Sequence, residues 1–269
     1  MISSAELSRA ACCNLGESFV TNPSVDVSYS DAATGAKQIK LLGLSGTYVQ
    51  MLTENIPNYR GAASPYGLGY VPGPWMQSIQ VSKGISSVKN GYEAITGQIN
   101  VEFKKPQLPE ADWVSANLFA SSTSRYEANA DATLKLSKRW STSLLAHYEN
   151  ETKAHDGNDD GFVDIPRVEQ YNVWNRWAYM GDHYVFQAGI KALSETRTSG
   201  QVNHGGTMHS GDLYKVGIDT ERYEFFTKNA YIFNKEKNTN LALILSTTLH
   251  NQDATYGRKL YNVDQTNVY

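Results

Sequence analysis

The sequence predicts a mainly β protein in which a small α+β domain is followed by a series of antiparallel strands. Three observations support this fold class. Residues 126–137 alternate between apolar and polar side chains, as a strand with one apolar face requires. Residues 75–106 contain two short alternating segments separated by turn signals. The sequence also has no run of 18 or more apolar residues, which argues against a helical membrane span.

The predicted α+β domain covers residues 1–108. Its first element is a short helix, for which Ser3 or Ser4 is the candidate N-cap. Strands are predicted at 37–44 and 47–52, because apolar residues alternate there on both sides of a Gly-rich turn. The domain therefore combines a little helix with several short strands.

The segment from Trp75 to Pro106 is the most informative part of this domain. It reads WMQSIQVSKGISSVKNGYEAITGQINVEFKKP and predicts a strand, two turns and a second strand. The residues that mark these elements are Ile79 and Val81, Lys83-Gly84, Asn90-Gly91, and Ile99, Val101 and Phe103.

The order of residues in this segment resembles the end of the plug domain of TonB-dependent outer-membrane receptors. In that family a strand leads to a Lys-Gly-x-x-Ser turn, a Tyr-Gly-like turn, an Ala-Ile-x-Gly step and an Ile-Asn-Val strand. The matching residues are Ser78–Ser87, Asn90–Tyr92, Glu93–Gly97 and Gln98–Val101. Several spaced elements agree in order; an unrelated hairpin of a β-sandwich is the alternative interpretation.

Two turns depart from the family pattern. An Arg-Gly step and an Asp-Gly-x-Pro turn are usual in the family, whereas this chain has Leu42-Gly43 and Glu54-Asn55-Ile56-Pro57. The departures point to a subfamily distinct from the typical siderophore receptors. Met1 and the polar residues after it show no secretory signal. The resemblance implies that the signal peptide and the TonB box lie upstream and that the chain is truncated at both ends.

Residues 109–269 are predicted to form the first part of a transmembrane β-barrel. Seven strands are expected, at about 112–121, 126–137, 140–150, 169–180, 183–194, 222–234 and 240–250. Most of the connections alternate between tight turns and long loops; the long ones are expected at 151–168, at 195–221 and after residue 251. This asymmetry is typical of outer-membrane barrels, which have short turns at the periplasmic rim. A barrel that holds a plug has about 22 strands, so about a third of it is expected here.

Aromatic residues near the predicted strand ends match the girdles that seat a barrel at the two membrane interfaces. They are Trp113, Tyr126, Trp140, Tyr148, Tyr171, Tyr179, Tyr184, Tyr223 and Phe233. The strands of a soluble β-sandwich would also alternate between apolar and polar side chains. The alternation by itself therefore does not distinguish a sandwich from a membrane barrel.

A loop rich in Gly, Pro and Tyr is predicted at 58–73. In the family this segment is an apex loop of the plug that faces the outside of the cell. Tyr59, Arg60, Tyr66 and Tyr70 are the candidate ligand-binding residues, because flat aromatic faces and one fixed cation suit a large polar ligand. The alternative is that the tyrosines pack against the barrel wall.

The first long barrel loop contains a candidate calcium site. Asp156, Asn158, Asp160 and Asp164 offer side-chain oxygens at positions 1, 3, 5 and 9 of a calcium loop, and Phe162 offers a carbonyl at position 7. The bidentate Glu of position 12 is replaced by Arg. A solvated acidic turn is the alternative, since Asp, Asn and Gly are common in turns.

A second candidate metal site would use soft ligands. Cys12 and Cys13 are adjacent, so a disulfide between them would be strained; two buried thiols are the alternative to a soft-metal or redox pair. His204, Met208 and His209 lie in a Gly-rich loop and have side chains that suit copper or haem iron.

The resemblance implies a ligand-gated outer-membrane importer that binds a scarce ligand at the cell surface, such as a metal chelate, haem or cobalamin. The implied partners are TonB with ExbB and ExbD, outer-membrane lipid and the small-molecule ligand. We expect no required cofactor, apart from calcium as a candidate. The sequence has no recognised catalytic motif, which predicts that the protein is not an enzyme. A net charge of −3 predicts no nucleic-acid surface.

The alternative function is a non-transporting β-rich adhesin or a carbohydrate-binding protein. A metal-handling or redox periplasmic protein is a third class, which depends on Cys12 and Cys13 alone.

The calcium hypothesis predicts that millimolar calcium raises the melting temperature of the intact protein, because binding to the folded state alone stabilises that state. The measurement is thermal unfolding with calcium or with a chelator, and with Asp160→Asn and Asp164→Asn as variants. The same melting temperature with calcium and with chelator would contradict the hypothesis.

Overall fold

The computed structural model describes residues 2–3, 6–7, 13–19, 25–44, 46–86, 93–106, 113–202, 213–237 and 239–269. Within these ranges we number the strands in chain order: β1 Ile2–Ser3, β2 Asp26–Asp31, β3 Ala36–Lys40, β4 Val49–Thr53, β5 Ile56–Pro57, β6 Met76–Lys83, β7 Gly97–Phe103, β8 Trp113–Ala120, β9 Arg125–Lys135, β10 Trp140–Glu151, β11 Arg167–Met180, β12 Tyr184–Gly200, β13 Lys215–Asn234, β14 Thr239–Tyr256 and β15 Lys259–Val268. Short 3-10 turns lie at Glu17–Phe19, Gly46–Tyr48, Gly61–Ala63 and Gly73–Trp75. No helix in the described ranges is long and apolar enough to cross a membrane.

The N-terminal domain, which we define as residues 2–106, contains a five-stranded sheet. Its order is β1-β6-β7-β4-β5, and β4 and β7 are parallel while the other pairs are antiparallel. The strands predicted between residues 75 and 106 are β6 and β7. Their inward residues Ile79, Ile99, Val101 and Phe103 have no exposed surface and form the centre of the core.

Two expectations for this domain are refined by the structure. Of the predicted N-terminal helix, Glu6 and Leu7 are helical, and the backbone N–H of Ser3 donates to the Glu6 carboxylate at 2.7 Å. The strand predicted at 37–44 is the shorter β3, which pairs with β2 in a separate hairpin and not with β4. The predicted domain boundary at residue 108 falls in 107–112, outside the described residues, and stays a prediction.

The second part is an antiparallel sheet in which β8 to β15 pair in chain order, and we call it the barrel sheet. It has eight strands where the sequence predicts seven, and the additional one is β15. The expected long connection after residue 251 is a two-residue turn at Gly257-Arg258, in which Gly257 has a φ of +61°. The expected loop at 195–221 is also shorter, because β12 continues to Gly200 and β13 begins at Lys215.

The polarity of the two faces of the barrel sheet is the reverse of that in a soluble sandwich. In β9 the side chains of Glu127, Asn129, Asp131 and Thr133 are buried, so the face expected to be wet is covered by the N-terminal domain. Apolar side chains point away from that domain and are exposed, among them Leu118, Leu134, Leu144, Val173, Ile190, Phe225 and Leu243. A soluble sandwich buries its apolar faces, whereas a membrane barrel exposes them to lipid. The polarity of the two faces therefore favours the barrel.

Aromatic side chains form two bands on the outer face. In the lower band, next to the tight turns that precede β10 and β12, the ring centroids of Trp140 and Tyr179 are 5.1 Å apart, and those of Tyr179 and Tyr184 are 6.1 Å apart. In the upper band Tyr148 and Tyr171 are 4.9 Å apart. Tyr171 and Tyr179 lie in the same strand, separated by about 26 Å at roughly 3.3 Å per residue. With a strand tilt of about 35–45°, this length spans roughly 18–21 Å along the membrane normal, somewhat less than the apolar band about 25 Å tall between interfacial girdles.

We predict that Leu144→Arg destabilises the intact protein in lipid vesicles by about 2–4 kcal/mol, because Leu144 lies midway between the two aromatic bands. Leu136→Arg is the matched control: Leu136 is as exposed but lies beyond Trp140 at the rim, and it should cost about 1 kcal/mol or less. Equilibrium unfolding in vesicles measures both. Equal costs would show that the outer face is not immersed in lipid.

Candidate functional site

The candidate site is the interface between the N-terminal domain and the concave face of the barrel sheet. Barrel side chains donate hydrogen bonds to main-chain carbonyls of the N-terminal domain at several heights. The pairs are Arg197 to Thr34 (3.1 Å), Gln170 to Gly69 (3.3 Å), Asn172 and Lys191 to Tyr70 (3.1 Å each), Lys228 to Glu54 (2.7 Å), Arg176 to Lys104 (2.7 Å) and Ser141 to Pro106. The interface is therefore held by polar contacts along the whole sheet.

The carboxylate of Glu54 is the charged contact nearest the rim with the tight turns. Glu54 lies in the left-handed turn between β4 and β5, and the next residue, Asn55, is held by Asn100 through a 2.7 Å hydrogen bond. Arg176 Nη2 lies 2.7 and 2.9 Å from the two Glu54 oxygens, and Lys228 Nζ lies 3.6 Å away. Both Glu54 and Arg176 are buried. An opposite charge in a buried site favours the ionised form of both groups.

The pKa of Glu54 results from two opposing effects. Burial, the largest effect, raises the pKa of the carboxyl, but the charges of Arg176, Lys228 and Lys105 together outweigh it. The pKa of Glu54 is therefore held below its ordinary value, and the carboxylate is ionised at neutral pH. Glu54 is a charged anchor of the N-terminal domain.

Asn58 is a second anchor, at the middle of the sheet. Its amide donates to Glu224 at 2.9 Å and its carbonyl accepts from Arg222 at 2.5 Å. Arg222 also donates to Glu224 at 2.8 Å, and Lys191 Nζ lies 3.7 Å from the same carboxylate. Arg222, Glu224 and Lys191 of the barrel sheet thus interact with one another, and the Asn58 side chain adds two hydrogen bonds to this network.

Glu17 is the third anchor and contacts Arg125 at 2.8 Å. Arg125 also lies 2.6 Å from Glu127 and 2.8 Å from Glu149, so one guanidinium faces three carboxylates. Burial raises the pKa of Glu17, but Arg125 outweighs this effect and the pKa is lowered. This cluster is at the end of the sheet opposite to the Glu54 anchor, close to the turn between β8 and β9.

Cys13 is buried next to this cluster. Burial, and then the negative charge of Glu127, raise the pKa of the Cys13 thiol. Metal binding and redox exchange both require a thiolate, which this environment disfavours. Cys12, His204, Met208 and His209 lie outside the described residues, so the soft-metal hypothesis stays a prediction.

The tyrosines of the predicted apex loop lie against the barrel wall. Tyr59, Tyr66 and Tyr70 are 3%, 6% and 0% exposed. Lys191 donates to the Tyr59 hydroxyl at 3.1 Å, and the Arg197 guanidinium lies 4.9 Å from the Tyr66 ring. The structure brings Tyr59 and Tyr70 together, with ring centroids 6.3 Å apart. A ligand contact for these side chains stays a prediction.

Two adjacent residues of this loop, Tyr59 and Arg60, are held by further contacts. Arg60 is partly exposed and its guanidinium lies 2.7 Å from Glu93. Tyr59 has a left-handed φ of +52°, and a Cβ at Gly67 would lie 2.6 Å from the Tyr59 Cβ. The Tyr59 ring can therefore reach the barrel wall only because position 67 is Gly.

The candidate calcium loop folds around its first Asp. Asp156 accepts hydrogen bonds from the backbone N–H groups of Asp160 at 3.2 Å and Gly161 at 2.8 Å. Asp164 accepts from Gly157 at 2.6 Å, and Asn158 donates to Asp160 at 3.0 Å. In the described part of the chain, no three His, Cys, Asp or Glu side chains are grouped around a common metal position. Calcium binding, with Phe162 as the carbonyl ligand, stays a prediction.

Sequence reasoning missed the residues that carry the interface. Glu54 was noted only as part of a turn that departs from the family pattern. Glu17 and Asn58 were not singled out, and neither were the barrel partners Arg125, Arg176, Lys191, Arg222 and Glu224. One signal was available in the sequence: the barrel members all fall on the polar face of alternating strands. Their partners in the N-terminal domain have no such signal, because the pairing depends on how the two parts fit together.

Residues 1–98 match the family model described as the TonB-dependent receptor plug domain. No curated protein sequence matches the chain. Among solved structures, the siderophore receptor PirA from Acinetobacter baumannii is similar over 99% of this chain and 43% of its own, with 15% identity and a TM-score of 0.69.

Two further structures are similar. The ferric-catecholate import receptor Fiu from E. coli K12 is 17% identical with a TM-score of 0.70, over 99% of this chain and 43% of its own. The ferripyoverdine receptor of the Pseudomonas aeruginosa outer membrane, bound to ferripyoverdine, is 14% identical with a TM-score of 0.70, over 95% of this chain and 36% of its own.

The chain spans 36–43% of the length of these three structures. At such low identities the likeness establishes the fold. The plug match covers the N-terminal domain, and the eight-stranded sheet has the place of a barrel wall around it. Residues 1–98 are therefore a plug domain of the TonB-dependent receptor family, and the whole chain has the fold of a plug domain with part of a β-barrel.

Proposed function

We propose that this chain is part of an outer-membrane importer that binds a metal chelate at the cell surface and passes it to the periplasm. Ferric siderophores are the ligand class to test first, because similar structures are named for them. Haem and cobalamin are the next classes. TonB, with ExbB and ExbD, is the proposed partner that supplies the work.

One observation carries the proposal. The N-terminal domain covers the concave face of the barrel sheet, whose outer face is apolar, and polar contacts hold it there. A structural core would be dry and apolar, whereas this interface includes three charged or amide anchors at Glu17, Glu54 and Asn58. A polar contact can be exchanged for water at little net cost, because each intramolecular hydrogen bond contributes only about 1 kcal/mol. Such an interface suits a part that must move.

The alternative of a non-transporting adhesin is less consistent with the interface. An adhesin has no need for a domain inside its barrel sheet. Its wall could be packed with apolar side chains, which replace buried ion pairs at no loss of stability. The buried Arg176, Lys191 and Arg222 instead face the plug.

The importer proposal predicts that the gene for the intact receptor is needed for uptake of a specific iron complex. The measurement is accumulation of radioactive iron from a panel of chelates, in cells with and without the gene. One chelate should lose most of its uptake on deletion of the gene, and the same loss should follow deletion of TonB. Unchanged uptake of every chelate in both deletions would contradict the proposal.

We predict that Glu54→Gln weakens plug docking by roughly 3–5 kcal/mol, because it leaves the buried Arg176 without its charge partner. Hydrogen exchange of the β6 and β7 amides in the intact receptor measures the stability of the docked plug. Asp182→Asn is the matched control; its ion pair with Arg139 is exposed (67% and 53% of the side chains), so the change should be below about 1 kcal/mol. Similar exchange rates in the two variants would show that Glu54 is not an anchor.

The ion pair between Glu54 and Arg176 also predicts that the stability of the docked plug depends on pH. The pKa of Glu54 is below its ordinary value of 4.5 in the folded receptor. The stabilisation is therefore fully present above pH 4.5 and is lost as the pH falls through the lower, folded-state pKa. The difference between wild type and Glu54→Gln should stay constant from pH 7 to about 4.5 and shrink below it. A difference that already declines near neutral pH would contradict this assignment.

A further inference from the structure

The barrel sheet carries an excess of positive charge at the end with the tight turns. We define the basic rim as the turns 136–139, 181–183 and 235–237, which precede β10, β12 and β14. Its charged side chains are all exposed and comprise four cations and two carboxylates, in a chain whose net charge is −3. They are Lys138, Arg139, Lys235 and Lys237, with Asp182 and Glu236.

Contacts between neighbouring turns join the basic rim into one surface. Arg139 Nη2 lies 2.7 Å from one oxygen of Asp182, and Lys235 Nζ lies 3.6 Å from the other oxygen. The backbone N–H of Met180 also donates to the Arg139 carbonyl at 2.8 Å. Cations of the first and third turns are therefore held close to each other around the second turn. One carboxylate cannot neutralise both of them.

The lower aromatic band shows where the basic rim lies in the bilayer. Trp140 and Tyr184 directly follow the first and second turns. Tyr184 is opposite Tyr231, whose ring centroid is 5.2 Å from that of Phe233, just before the third turn. Aromatic belts lie at the level of the lipid headgroups, so the rim cations lie at the level of the phosphates. By the resemblance to the family, the tight turns are periplasmic, and this leaflet is the periplasmic one.

The outer face at the opposite end of the sheet is acidic. Glu169 accepts hydrogen bonds from the hydroxyls of Tyr148 at 3.2 Å and Tyr171 at 3.0 Å, in the upper aromatic band. Asp219 lies directly opposite Asp253 on the same face of the sheet. Among the described residues, the outer face has five carboxylates and no Lys or Arg in the cross-strand row of Tyr171 and the next row above it. The carboxylates are Glu169, Asp219, Glu221, Asp253 and Asp264.

This distribution of charge selects one end of the barrel for contact with anionic lipid. Four or more Lys and Arg side chains beside a membrane attract negatively charged headgroups, and the attraction decays within a Debye length. The five carboxylates at the upper band repel the same headgroups. Lipid anions should therefore collect at the basic rim.

We propose that the basic rim binds anionic phospholipid headgroups of the periplasmic leaflet in preference to zwitterionic ones. The lipid phosphate pairs with Arg139 and Lys235, which share Asp182, and with the neighbouring Lys138 and Lys237. A zwitterionic phospholipid carries its own ammonium group next to the phosphate and gains less from these cations. This inference rests on the membrane-barrel fold and its orientation in the family, and goes beyond the proposed import function because it does not involve the imported ligand.

The test measures the lipid selectivity of the intact receptor in phosphatidylcholine vesicles. Trace amounts of spin-labelled phosphatidylglycerol and spin-labelled phosphatidylcholine are compared, and the fraction of each that is immobilised on the barrel gives a relative association constant. Phosphatidylglycerol should be favoured by about twofold or more, averaged over all lipid around the barrel, because the basic rim is only part of the lipid-facing surface. The preference should fall toward one in 1 M salt, since salt screens the charges.

The variant Lys138→Gln/Arg139→Gln/Lys235→Gln/Lys237→Gln should lower the relative association constant to about one, because it removes every cation of the basic rim. Asp182→Asn should raise the constant above that of wild type, because Arg139 and Lys235 lose the carboxylate that they share. A variant that was merely damaged would not gain selectivity.

The matched control is Arg167→Gln/Lys215→Gln/Arg258→Gln/Lys259→Gln, which removes the same charge from exposed positions at the opposite rim. It should leave the relative association constant close to that of wild type. Heat-dependent gel mobility confirms that each variant is a folded barrel.

Equal association of the two lipids with the wild-type receptor would overturn the proposal. The same loss of preference in the two quadruple variants, or a lower constant in Asp182→Asn, would overturn it as well. None of these outcomes bears on the importer proposal, which is decided by the uptake of the chelate panel in the gene deletions. The two proposals can therefore fail separately.

Discussion

The polar side chains on the concave face of the barrel sheet must have hydrogen-bond or charge partners, and the rest of the structure depends on this requirement. Arg176, Lys191 and Arg222 are all 2% exposed or less. A buried charge without a partner costs several kcal/mol, so a wall of this kind is stable only with something polar inside it. The apolar outer face requires an apolar environment, which lipid supplies. Both faces of the sheet thus need material that the sheet itself does not supply.

The plug meets the inner requirement largely with its main chain. The carbonyls of Thr34, Gly69, Tyr70, Lys104 and Pro106 accept hydrogen bonds from barrel side chains, and a carbonyl is present whatever residue occupies the position. Docking of this type constrains the path of the plug backbone more than its sequence. This offers a physical reason why the fold is shared with receptors that are only 14–17% identical to this chain.

The sequence predicted those parts of the fold in which side-chain type follows position. The alternation at 126–137 located β9, and the turn signals around β6 and β7 located the plug sheet. β15 was missed because Lys259 and Gln265 on its inner face and Asn262 and Asp264 on its outer face remove the alternation. The Glu54 and Asn58 anchors were missed for a different reason: their partners are more than a hundred residues away, so no local pattern records the contact. Burial of Tyr59 and Tyr70 against the barrel wall likewise follows from docking, which composition does not encode.

The three anchors are spread over the height of the sheet, and under the proposed import function this arrangement bears on how the plug would be released. Glu17 binds near the upper rim, Asn58 at mid-height and Glu54 toward the tight turns. Breaking all three at once would require their summed free energy, whereas a force applied along the chain breaks them one after another. The β2–β3 hairpin, β4 and β5 lie between Glu17 and Asn58 in the chain, and backbone hydrogen bonds from Leu15 to Val71 (3.0 Å) and from Gly73 to Cys13 (2.8 Å) join the Glu17 segment to the rest of the plug. Under the proposed import function, work on the plug would have to break these contacts, and each one that leaves a buried charge without its partner costs several kcal/mol.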